Sequence, residues 1–104
     1  MRISIFIAAV AVAMTSISVA QADAAAAEKQ AKMLCASCHG PNGVSTNPLW
    51  PNLAGQQEQY LAKAMTDYRE GNRSDINMGP ISTMLSDEQI KDLAAYFSGL
   101  PAGG

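Results

Sequence analysis

Cys35-Ala36-Ser37-Cys38-His39 is the stretch on which the reading of this chain turns. A C-x-x-C-H run has the spacing of a c-type haem attachment site. Two thiols three positions apart can each add to a vinyl group on one edge of a porphyrin. The histidine that follows is then placed beneath the ring, where its imidazole can bind the iron. Other uses of these residues fit less well. A C-x-x-C redox pair needs no histidine after it and usually accompanies a βαβ pattern, which is missing. A structural zinc site needs four ligands, whereas the chain holds two Cys and one His in all. A disulfide between Cys35 and Cys38 would leave His39 without a role.

Working outward, residues 1–22 read as a secretory signal peptide. Arg2 supplies the positive start, residues 3–19 are almost wholly apolar, and Ala20-Gln21-Ala22 is an A-x-A cleavage site. An anchor retained in the membrane fits less well: the apolar run has 17 residues, against the roughly 20 needed to span. Cleavage after Ala22, with Ala20 the near alternative, leaves a single domain over 23–104, and the expected location is the periplasm. In that domain Lys29, Lys32, Lys63, Arg69, Arg73 and Lys91 face nine acids, a formal charge of −3. No basic run points to nucleic acid, and no basic amphipathic stretch points to a membrane surface once the signal is removed. The 82 residues left are close to the size at which a core alone becomes marginal. With both cysteines used for thioethers no disulfide can help, so a covalent porphyrin would serve as the centre of the core.

The rest of the domain reads as helices and loops, with no strand pattern and no internal repeat. Residues 23–34 are alanine-rich and free of Gly and Pro, with Asp23 as N-cap. Ala27, Ala31 and Leu34 share a narrow face of small residues, and Glu28 precedes Lys32 by four. Residues 40–55 carry loop signals, Gly40-Pro41-Asn42-Gly43, Asn47-Pro48, Pro51-Asn52 and Gly55. That loop is long for so small a domain, and it is expected to wrap the histidine side of the porphyrin with Leu49, Trp50 and Leu53. Residues 56–70 form a second helix with Tyr60, Leu61, Ala64, Met65 and Tyr68 on one stripe, ended by Gly71. Ser86 opens the last helix with Gln89 at the capping-box position, and Ile90, Leu93, Ala94 and Phe97 form its buried face.

A six-coordinate iron needs a second ligand, and His39 is the only histidine. Methionine is the natural candidate, a soft neutral thioether that favours ferrous iron and raises the reduction potential. Met33 is too near Cys35 to reach the far face, and Met65 sits in the apolar stripe of a helix. Met78 lies beside Gly79 and Pro80, where backbone can approach a ring and be held stiff. Met84 precedes the last helix. Spacing favours Met78 and leaves Met84 as its rival.

The chain resembles a small bacterial class I cytochrome c, and within that group one haem domain of the two-domain dihaem cytochromes. The matching stretches are Cys35-Ala36-Ser37-Cys38-His39-Gly40, Pro51-Asn52-Leu53-Ala54-Gly55-Gln56, Tyr60-Leu61, Gly71-Asn72-Arg73, and Leu85-Ser86-Asp87-Glu88 running into Leu93-Ala94-Ala95-Tyr96-Phe97. The resemblance implies an all-α class I cytochrome c fold, three main helices and long loops around one covalently attached haem c. It also implies haem attachment after export. The family's axial methionine stands seven residues before the leucine that opens Leu-Ser-Asp, which is Met78 here. The proline whose carbonyl accepts from the histidine's other ring nitrogen falls on Pro48, and Arg73 matches a basic position that pairs a haem propionate. One departure is Ala27, where the family usually has glycine at the crossing of the first and last helices. A slightly wider crossing is expected there.

With His39 and Met78 both on the iron, no substrate can reach it, and the expected role is one-electron transfer between respiratory redox partners rather than catalysis. Partners would dock transiently at the exposed haem edge near Cys35 and Cys38, through a small interface. Two other roles are consistent with the same motif: the haem subunit of a larger periplasmic oxidoreductase, and an open-iron sensor or enzyme. The second would want distal acid–base groups, and no second histidine is present.

Overall fold

A computed structural model of the protein describes residues 2–13 and 19–103, with side chains from residue 24 onward in the first helix. Residues 1 and 14–18 of the signal-peptide reading, and the side chains around its cleavage site, lie outside the described residues. Residues 2–13 are exposed and form no regular structure. Five helices follow: α1 (Val19–Leu34), α2 (Ala36–His39), α3 (Glu58–Glu70), α4 (Met78–Thr83) and α5 (Asp87–Ser98). No strand occurs among the described residues, so the fold is all-α.

α1 starts four residues before Asp23, which therefore does not cap it. The alanine-rich sequence contains nothing to stop a helix there. The expected Glu28–Lys32 pair forms at 3.0 Å on the exposed side. Ala27 and Ala31 are buried, and this small-residue face packs α1 on α5. α3 begins at Glu58, two residues later than the stripe suggested, and ends at Gly71, whose φ of +82° is the left-handed conformation of a helix C-terminus. α5 starts with a complete capping box: Gln89 N–H donates to Ser86 Oγ, and the Ser86 N–H donates to Gln89 Oε1.

α5 is the central element. Ile90, Leu93, Ala94 and Phe97 are buried on it and meet Ala31 of α1, Leu61 of α3 and Leu85. Arg69 ties α3 to the start of α5, donating from Nη1 to the Leu85 carbonyl at 3.2 Å and from Nη2 to Asp87 Oδ1 at 2.6 Å. The long loop 40–55 is fastened rather than loose. The Leu53 and Ala54 N–H groups donate to the Gly43 carbonyl, and Gly55 N–H donates to the Phe97 carbonyl. Gly43 has φ +74°, and a Cβ there would stand 3.0 Å from both Ala54 N and Phe97 Cδ1, so glycine lets the loop lie against α5.

Candidate functional site

α1 delivers the C-x-x-C-H run. Its last carbonyls pass straight into α2, with Cys35 N–H donating to Ala31 O and His39 N–H to Cys35 O. This single short turn sets Cys35, Cys38 and His39 along one wall of a cavity of about 360 Å³. The loop supplies a second wall through Trp50 and Leu53, α3 a third through Leu61 and Met65, and α4 a fourth through Met78 and Ile81. The cavity thus brings together the C-x-x-C-H run, the loop, α3 and Met78, and leaves out Pro48 and Met84.

His39 is buried, 6% exposed, and its Nδ1 lies 2.7 Å from the carbonyl oxygen of Pro51. A carbonyl has no proton to give, so Nδ1–H donates and Nε2 is the ring nitrogen left to bind a metal. The acceptor was expected at Pro48. The structure places Pro51 there instead, because the chain turns sharply at Asn47. Leu49 N–H donates to Asn47 Oδ1 and Trp50 N–H to Asn47 O. That turn leaves Pro48 exposed on its outer side and brings the next proline back toward the imidazole.

Both thiols are free and partly buried. Burial, with Cys38 beside it, pushes the Cys35 thiol up to about 11. A nucleophilic redox pair has its thiol lowered, so the environment of Cys35 opposes that use of the motif.

Met78 opens α4 and is half-buried in the cavity wall. Met84 is 60% exposed and not part of the wall, and Met33 is 73% exposed. Met65 borders the cavity while packing against the core. Arg73 is exposed at the cavity wall, its guanidinium 4.7 Å above the Tyr68 ring. A hydrogen bond to Tyr60, then the Tyr68 hydroxyl, hold its pKa above the ordinary arginine value. Asp75 also borders the cavity, and the Met78 and Asn77 N–H groups, with Arg73 adding to them, hold its carboxyl below the usual range.

Four features test whether this set suits a covalent porphyrin. The thiols are unpaired, one imidazole nitrogen is fixed and the other available, the walls are mostly apolar, and a thioether lies in the same cavity. The residues fit. Pro51, Tyr60 and Asp75 were missed from the sequence. A carbonyl carries no sequence signal, but Asp75 has one: Asp two residues before a bend is a frequent acceptor for backbone amides.

The sequence model of the family described as cytochrome c matches residues 24–101. The chain belongs to the cytochrome c family. The haem c of that family is covalently bound, and Cys35 and Cys38 are the cysteines that fit its motif. Cytochrome c4 of Pseudomonas aeruginosa is 47% identical over 74 residues, 70% of this chain and 37% of that protein. Cytochrome c-554(548) of Halomonas halodenitrificans is 45% identical over 67 residues, 62% of this chain and 81% of that protein. The crystal structure of reduced recombinant cytochrome c4 from Pseudomonas stutzeri superposes with a TM-score of 0.72 at 38% identity, covering 78% of this chain and 50% of that one. The chain therefore spans half the length of the cytochromes c4 it matches, or less. It covers about one haem domain of those two-domain proteins, as the resemblance implied.

Proposed function

We propose that the chain is a one-electron carrier whose c-type haem iron is held between His39 and Met78. The observation that carries this reading is that Met78, and not its rival Met84, shares a cavity with Cys35, Cys38 and His39. When bound, a c-type haem with histidine and methionine ligands supplies a ferric/ferrous couple at raised potential. The chain's own residues do the rest. Cys35 and Cys38 would hold the ring by thioethers, and Pro51 fixes the tautomer of His39 and strengthens Nε2 as a donor. Met78 offers a neutral soft ligand, while Leu53, Leu61 and Ile81 keep water from the site. Arg73 and Tyr60 offer hydrogen-bond donors for a propionate. If His39 and Met78 both held the iron, a substrate would have no place on it, which favours electron transfer over turnover.

The same reading takes residues 1–22 as an export signal and 23–104 as the working domain, placing the carrier in the periplasm between respiratory partners. No described helix is long and apolar enough to cross a membrane. Docking at the cavity mouth near Cys38 would be brief, as suits a carrier.

The test is optical. The exported, oxidised protein is expected to show the weak long-wavelength methionine–iron charge-transfer band, and the reduced protein to ignore carbon monoxide. Met78→Ala should keep covalent haem, lose the band, lower the potential and admit carbon monoxide. If Met84→Ala does this and Met78→Ala does not, the ligand assignment is wrong.

A further inference from the structure

The segment between α3 and α4 has to deliver Met78 to one place in the cavity, yet it holds no regular structure from Gly71 to Asn77. Its start is set by Arg73 N–H, which donates to the Asp67 carbonyl at 3.1 Å and folds the chain back on α3. Its end converges on one residue. Asp75 Oδ1 accepts from Asn77 N–H at 2.8 Å and from Met78 N–H at 2.9 Å. The Asp75 carbonyl accepts from Gly79 N–H at 3.0 Å.

The amides at the start of a helix have no partner within it. In α4 Asn77 occupies the usual capping position, and its side chain makes no capping bond. Asp75 takes that role from two residues further back. We infer that Asp75 is the positioning residue for Met78: its carboxylate oxygen clamps the two amides that fix the Met78 Cα against the cavity.

The consequence follows from the methionine side chain. Met has three rotatable bonds and adapts to irregular spaces. Its sulfur is therefore well placed only if its backbone is. A backbone free to shift would let the sulfur leave the iron part of the time. An incoming ligand then binds in proportion to the fraction of molecules that are open. Asp75 makes no contact with the iron in this account and acts only through Met78. The inference rests on the reading of Met78 as an axial ligand.

Three substitutions in the haem-loaded protein separate geometry from charge. Asp75→Asn keeps an oxygen at the same reach and loses the charge. Asp75→Glu keeps the charge and moves the oxygen by one methylene. Asp75→Ala removes the acceptor. The ferric charge-transfer band and the rate of carbon monoxide binding to the ferrous protein are read alongside haem content and far-ultraviolet circular dichroism. Asp75→Asn is expected to match the wild type within about twofold. Asp75→Glu and Asp75→Ala should weaken the band and bind carbon monoxide about tenfold faster or more, because the open fraction rises, with haem content and helix unchanged. The Asn and Glu variants decide the matter even where Asp75→Ala fails to fold. A wild-type band and rate in Asp75→Glu would overturn the proposal, as would impairment of Asp75→Asn alone. Wild-type protein without the band, or a band that survives Met78→Ala, would instead remove the ligand reading on which the proposal stands.

Discussion

Ser82 shows how much one buried atom can matter. It is fully buried in α4, and its hydroxyl has no hydrogen-bond partner. Other helical hydroxyls behave differently: Thr83 Oγ1 donates to Pro80 O and Thr66 Oγ1 to Ala62 O. An unsatisfied buried hydroxyl carries its full desolvation penalty, and alanine at that site leaves only a small void. Ser82→Ala is therefore expected to raise the unfolding free energy of the holoprotein by about 1 kcal/mol. Urea midpoints at unchanged slope measure this. A loss of stability of that size would mean that the hydroxyl finds a partner once haem is in place. Residue-scale chemistry was read unevenly from the sequence. Cys35, Cys38 and His39 stand at fixed spacing, so one motif names them. The partner of His39 is a main-chain oxygen, and which proline supplies it depends on the Asn47 turn, so the resemblance put it on Pro48 where the fold has Pro51.

Among elements, legibility followed length and capping. α3 and α5 have apolar stripes several turns long and clear stops, and the capping box at Ser86 was visible as Ser-x-x-Gln. α2 and α4, of four and six residues, are too short to show a period. α4 also contains Gly79 and Pro80, which read as loop, although proline is tolerated in a first turn where its missing N–H has no partner to lose. Asp23 reads as the start of α1, but the residues before it are equally able to be helical and the helix begins at Val19. The capping box supplies a prediction at this scale. Ser86→Ala leaves the Gln89 amide without its acceptor and should cost about 1 kcal/mol of stability, with Ser86→Gly costing only a few tenths. Because α5 underlies the whole core, the loss should appear as a shifted midpoint with no change in the ferric charge-transfer band. A band lost before the protein unfolds would show instead that this end of α5 controls the position of Met78, through Leu85 and α4.

For the whole molecule the question is what fills its centre. Nine apolar residues are buried among those described, and Ala27, Ala31, Ala54 and Ala94 are four of them. The larger apolar side chains, Leu53, Leu61, Met65 and Ile81 among them, turn to the cavity as much as to one another. A cavity of about 360 Å³, if it stayed dry, would forfeit about 9 kcal/mol at roughly 24 cal/mol per Å³. That is comparable with the whole stability of a small domain, about 5–15 kcal/mol. Admitting water instead would wet the apolar walls and lose burial that helps hold α4 to α3 and α3 to α5. Either way the walls that the loop, α3 and α4 turn to the cavity have nothing to pack on, and short helices such as α4 do not persist alone in water. Cys35→Ala/Cys38→Ala, which cannot attach haem, is therefore expected to be largely unfolded, with most far-ultraviolet helix signal lost and no cooperative thermal transition. A double variant with native helix content and a sharp transition would show that alanine packing between α1 and α5 suffices, and that the porphyrin is a passenger in a core already formed.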